Sequence, residues 1–495
     1  MAAVAVSLVL TPLVLSRLGM EAYSYWPLCN SLTLYVGLLT ISLGPGLRRH
    51  TVFALEQGDV LAAREYFNTG LAITCAFWLL IVLAAILISW RLSIFIDIKP
   101  EIQSDVQLMF LFIALAASFE VFCLVFFVGA YATDRIYTEK IVRVISPFIR
   151  LFFIWGAFAI WKPSLKILGA SALIAAAFGL IIAITTYFKY LPEVKIKLTR
   201  YVTGRAIRSL TGFGSWILCV ALGDYVFRSL PLVLSNRLID PTAAGSYGII
   251  VQVISLVSAN TGHIGYVLSR KLIGPVSRND HHVADDLLRR YYTWAMGALS
   301  LPVALLFVHV DHLFALWIGV HAEGLGDLFR VAIMTTFIAE PISMVNARLL
   351  ASRRVVTNGI STLLMPLGLY TITLLLTSSL NWGLVGIVIA SGIVILVRNV
   401  ALLIDACLTC NVNVYGIVGG FAVSILAFCG VLLSCYARMR FAPAASFPLT
   451  GIIFDFGIGS CVWAIILWSL SRDCRDLVRS LFQSLISRRC VAGES

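Results

Sequence analysis

The stretch DYVFRSLPLVLS, residues 224–235, carries two signals at once. Asp224 and Arg228 stand four residues apart inside a long apolar run, so on a helix they share one face. Pro231 to Ser235 (PLVLS) also repeats Pro12 to Ser16 near the N-terminus. The first signal reads as a polar site at membrane depth. The second reads as a chain built twice.

Composition fixes the solvent. The 495 residues are 60% hydrophobic and 13% charged, with a mean hydropathy of +0.94. Apolar runs of about 20 residues recur throughout, each long enough to span a hydrocarbon core of about 30 Å as a helix. A β-barrel would show short alternating segments, and none occur. The expected fold is an all-α polytopic membrane protein with about 14 transmembrane helices. They fall near 2–16, 24–45, 68–90, 107–131, 143–161, 167–188, 211–236, 244–268, 292–319, 327–349, 357–378, 383–404, 413–436 and 448–470. No basic segment precedes the first run and no small-residue cleavage site follows it, so it is expected to be a retained helix.

Lys and Arg set the orientation. Alternate connections hold about 26 basic residues against about 8 on the other side, which puts the rich side and both termini in the cytoplasm. The net charge of +12 is thus a topology signal, and no soluble basic face for nucleic acid is present. The cysteines lie mostly in apolar runs and behave as small hydrophobes. Cys407 and Cys410 form a lone C-x-x-C without a second ligand pair.

The repeat is collinear at an offset of about 220 residues. Pro12 matches Pro231, Arg17-Leu18 matches Arg237-Leu238, and Arg48-Arg49 matches Arg270-Lys271. Asp59 with Ala63 matches Asp280 with Ala284, Glu120 matches Glu340, Pro147 matches Pro366, and Gly169 matches Gly386. Six spans per repeat give two parallel six-helix repeats, a transporter architecture, here expected around a central cavity with two C-terminal helices added. The expected parts are an N-lobe over 1–190, a basic linker over 191–208, a C-lobe over 209–406, two extra helices over 407–470 and an amphipathic cytoplasmic tail over 471–495.

Charges at membrane depth cost roughly 2.5–3.5 kcal/mol each on insertion scales, so they face a bundle interior or a wet cavity. Those within the spans are Glu120, Arg150, Asp224, Arg228, Glu340, Arg398 and Asp455, with His263 as a polar neighbour. The two glutamates are candidates for a coupling proton, and an interhelical hydrogen bond or ion pair that only locks the fold is the plain alternative. The Arg fork binds phosphate oxygens bidentately, which makes Arg228 the first candidate for an anion site, followed by Arg150 and Arg398. Asp224 can neutralise Arg228 within its own helix. Arg48 and Arg270 are positive-inside flanks that can also meet a lipid-linked phosphate. Walker-type and G-x-S-x-G motifs are absent, and His281-His282 lacks metal-ligand spacing. A transporter remains, and no enzyme, cofactor or metal is expected.

LTPLVLSRLGMEAYSYWPL (10–28), SLTLYVGLLTISLGPGLRR (31–49) and GDVLAAREYFNTG (58–70) resemble Wzx-type polysaccharide flippases. So do residues 224–235 and PTAAGSYGI (241–249). The resemblance implies the multidrug/oligosaccharidyl-lipid/polysaccharide (MOP) exporter superfamily, with two six-helix lobes around a central cavity. It implies alternating-access transfer of an undecaprenyl-diphosphate-linked oligosaccharide across the bacterial inner membrane. In that branch cavity arginines meet the diphosphate, a role that falls by position on Arg48 and Arg228. The nearly charge-free first helix departs from the pattern. Expected partners are the lipid-linked oligosaccharide and membrane lipids, with a polysaccharide polymerase and chain-length proteins as further candidates, and a monomer is expected. Two rival readings are a multidrug/cation antiporter, whose cavity should be acidic and aromatic, and a non-transporting scaffold of a polysaccharide-synthesis complex.

Overall fold

A computed structural model describes residues 2–211, 215–352, 354, 356–441 and 448–476. Among them the regular structure is helical. The first repeat holds α1 (Ala2–Thr33), α2 (Gly37–Glu56), α3 (Val60–Trp90), α4 (Gln103–Phe126), α5 (Val128–Ala132), α6 (Tyr137–Ile160) and α7 (Leu165–Tyr190). The linker forms α8 (Leu198–Tyr201) and α9 (Gly204–Thr211). The second repeat holds α10 (Ser215–Leu238), α11 (Pro241–Ser277), α12 (His281–Ile318), α13 (Leu325–Ala339), α14 (Val345–Ala351), α15 (Val356–Leu374) and α16 (Gly383–Cys410). Two further helices follow, α17 (Val414–Phe441) and α18 (Pro448–Leu470).

Thirteen helical runs among the described residues are long and apolar enough to cross a membrane. The count is one below fourteen because the first two expected spans run together as Ala5–Val36. They are still two arms. Gly19 leaves helical geometry at φ 79° and ψ 170°, and Ala3 lines the same cavity as Asn30 and Thr33. In a straight helix at about 1.5 Å per residue those groups would lie some 40 Å apart. The chain therefore folds back at Gly19. A short 3₁₀ turn, Leu34–Val36, then interrupts the second arm before α2. The lipid-facing sides need no polar cover: Leu87, Phe152 and Ile160 are all more than 60% exposed.

The repeat is visible in the backbone. Asp59 and Asp280 have the same angles, φ −86° and ψ 77°, and cap α3 and α12 through Ala62 N and Val283 N. The preceding Gly58 and Asn279 both adopt positive φ. Asp59 N donates to Ala54 O at 2.9 Å, and Asp280 N donates to Pro275 O at 2.9 Å.

Residues 1–252 with 362–387 form one compact unit, and residues 253–361 with 388–495 form the other. In the first, Leu47, Phe67, Phe126 and Tyr187 form a buried core, with the rings of Phe67 and Tyr187 stacked at 4.4 Å. Gly169 lets α7 approach α4 closely, since a Cβ there would meet Met109 O at 2.8 Å and Met109 Cα at 2.9 Å. The first part of the basic linker lies on α3. Asn68 accepts from Lys197 N at 2.7 Å and donates to Lys195 O at 3.0 Å, so α3 satisfies backbone groups that a helix would have paired.

In the second unit α17 and α18 are stapled to α12. Trp463 Nε1 donates to Gly297 O at 2.8 Å, and Arg289 pairs with Asp473 at 2.8 Å. Burial pushes the Asp473 carboxyl above its ordinary range, while Arg289 and Arg290 pull it back. The expected amphipathic tail lies outside the described residues from position 477 onward.

Candidate binding cavity

One face of α6 is polar. Glu139, Arg143, Ser146 and Arg150 recur at steps of three and four, which stacks them along a single stripe. In the first unit this stripe faces a cavity of about 740 Å³. Glu120 of α4, Asn30 and Thr33 of α1, and Tyr225 of α10 complete its polar lining. Ala172, Ala175, Ala176 and Gly179 give α7 a low wall, which leaves the space open. The Tyr225 phenol reaches Gly37, where a Cβ would stand 2.9 Å from its oxygen.

The charges are arranged in order. Glu139 is 7% exposed and divides its oxygens between two guanidiniums. Arg48 Nη2 donates to Oε2 at 2.9 Å, and Arg143 Nη2 donates to Oε1 at 2.9 Å. Deeper in the span, Glu120 faces the charges of Arg143 and Arg150. Arg150 Nε and Nη2 are buried and donate to no acceptor among the described residues. Around the two carboxylates stand three guanidiniums, those of Arg143 and Arg150 in the lining of this cavity and that of Arg48 outside it, in a low-dielectric setting.

Arg48 itself lines a second cavity of about 630 Å³ with Arg49, Phe53, Glu56 and Tyr131. Its guanidinium lies 5.4 Å from the Tyr131 ring centroid. Leu124 lines both cavities.

The other candidates divide. Asp224 and Arg228 pair with each other at 2.7 Å, on one helix face as their spacing requires. Arg398 donates to Asn358 Oδ1 at 2.6 Å and Asn399 Oδ1 at 2.9 Å in the second unit. Glu340 opens the 3₁₀ segment Glu340–Met344 that ends α13. His263 and Arg270 are exposed on α11. Asp455 is 1% exposed. Arg438 grips both its oxygens, and His309 Nε2 lies 2.9 Å away. Cys435 belongs to the same cluster, but the carboxylate already has a cation, so the group reads as an ion pair joining α12, α17 and α18.

Glu139, Arg143, His309 and Arg438 were not singled out in the sequence. Arg143 stands at the cytoplasmic start of a span, where a basic residue is ordinary, and the 139-143-146-150 spacing is the signal that marks it. The Arg438–Asp455–His309 contact joins three helices and has no local signature.

No family model matches the chain. EpsK of Bacillus subtilis (strain 168), an uncharacterized membrane protein, is 20% identical over 390 residues, covering 79% of this chain and 77% of that protein. The lipid II flippase MurJ, in an inward closed conformation, superposes with a TM-score of 0.69 at 12% identity, over 95% of this chain and 97% of that one. An inward-facing MATE multidrug resistance transporter of the MOP superfamily gives 0.66 at 13%, over 83% and 95%. The chain has the MOP superfamily fold. A further MOP transporter, from Pyrococcus furiosus and described as having a binding pocket of reversed polarity, gives 0.54 at 14%, over 83% and 93%. Within the MOP fold the chain is a multi-pass membrane protein.

Proposed function

We propose that this chain is a flippase for an undecaprenyl-diphosphate-linked oligosaccharide, acting by alternating access in a bacterial inner membrane with both termini cytoplasmic. The observation that carries the reading is Arg150: a guanidinium deep in a span, lining a large cavity, with two buried donors unpaired among the described residues. Such donors match the acceptor oxygens of a diphosphate, and the forked geometry favours Arg over Lys. Asn30, Thr33, Ser146 and Tyr225 supply neutral groups suited to sugar hydroxyls. The greater share of this chain covered by the lipid II flippase than by the MATE transporter also supports the reading. Glu120 and Glu139 are matched by Arg143 and Arg150, so the cavity lacks the net acidic lining expected for a cationic drug. Arg48, with Arg228 and Arg270, is assigned to the substrate's path, and Glu120 is the candidate for proton coupling, with Glu340 as its repeat counterpart.

Deletion of the gene should stop surface-polysaccharide production and leave lipid-linked oligosaccharide on the cytoplasmic leaflet. The intact chain should restore export, and Arg150→Lys should restore little of it at equal protein level. Full export in the deletion strain would overturn the reading.

A further inference from the structure

Glu139 holds two arginines that line different cavities. Arg48 belongs to the cavity at the end of α2, and Arg143 to the deeper one, where its side chain is 67% exposed. The carboxylate gives one oxygen to each. A purely structural pair would be expected to saturate its donors, because a buried unpaired donor costs about 1–3 kcal/mol. Arg48 Nε is instead buried with no acceptor among the described residues. Arg150, two turns beyond Arg143 on α6, has its own donors unpaired among the described residues. The clamp therefore has unused capacity for acceptor oxygens on either side of Glu139.

Resting on the flippase reading, we propose that Glu139 is a displaceable internal anion that occupies the diphosphate's place while the site is empty. An entering diphosphate takes over the Arg48 and Arg143 donors, Glu139 swings away, and Arg150 receives the far phosphate. Glu139 is thus a positioning residue that sets affinity: it keeps the arginines ordered and charge-balanced, and it competes with the substrate. Strong competition keeps binding reversible, which a carrier needs in order to release its cargo.

The test uses the full chain in nanodiscs, with inorganic pyrophosphate and a short-chain prenyl diphosphate as separate probes. Glu139→Gln keeps the side-chain shape and removes the competing charge. It should bind both probes about tenfold more tightly than the unaltered chain, as expected for freed charge-assisted donors. Arg48→Gln should bind both more weakly. Glu139→Asp is one methylene too short to reach both guanidiniums and should tighten binding partway, which covers failure of Glu139→Gln to fold. Unchanged or weaker binding in the folded Glu139 variants would overturn the displacement. Tighter pyrophosphate binding without any prenyl diphosphate binding would keep the role of Glu139 and overturn the lipid-linked reading.

Discussion

Asp59 and Asp280, one repeat apart, hold the same backbone conformation and make the same bond: each carboxylate accepts from the amide three residues on, Ala62 N at 2.9 Å and Val283 N at 3.2 Å. Loss of such an N-cap costs about 1 kcal/mol. Asp59→Ala and Asp280→Ala should each lower thermal stability in detergent by a similar amount. A large effect at one site and none at the other would mean that the two caps are not equivalent.

Gly19 reverses the chain between the first two arms. A Cβ there meets nothing within 4 Å, so space is not what excludes other residues. The backbone is: φ 79° with ψ 170° is open almost only to glycine and costs other residues about 1–3 kcal/mol. Gly19→Ala should destabilise by that amount, while Gly19→Asn should give no full rescue, because ψ lies outside the left-handed helical well. Thermal unfolding of both variants checks this.

The contact of α7 with α4 depends on Gly169. Gly169→Val would drive side-chain atoms into the Met109 backbone, and overpacking of this kind costs about 1–3 kcal/mol or more. Lower yield and a lower melting point are expected. Gly156→Val, with nothing within 4 Å of its Cβ position, serves as the control.

Asp455 and Arg438 form a buried pair. Arg438→Ala leaves the carboxylate uncompensated and should cost about 3–5 kcal/mol. Arg438→Met combined with Asp455→Leu should recover most of that loss, since apolar replacement of a buried pair is often neutral. A double variant no more stable than the single one would show a role beyond the pair.

These residues also show what could be read from sequence. The spans were legible because bilayer thickness fixes helix length, and the repeat because Asp59 and Asp280, or Glu120 and Glu340, recur in order. The Gly19 reversal was legible as a boundary between spans, but not as a single glycine inside one helical run. Glu120 and Arg150 stood out as charges in apolar runs, and both line the cavity. Glu139 and Arg143 lie at the start of a span, where charge is ordinary, so composition alone does not mark the face they share with Arg150. The opening pair, Asp224 and Arg228, reads correctly as one helix face, yet only Tyr225 of that turn lines the cavity. Which apolar helix brings Arg438 to Asp455 is decided by packing between helices, and periodicity within each helix does not encode it.

The most direct measurement of the central claim is flipping of an undecaprenyl-diphosphate-linked oligosaccharide by the purified chain in liposomes. The unaltered chain should transfer it between leaflets. Arg150→Gln should do so at least about tenfold more slowly, since a charge-assisted hydrogen bond is worth about 1.5–3 kcal/mol. No transfer by the unaltered chain, or an unchanged rate with Arg150→Gln, would contradict the account.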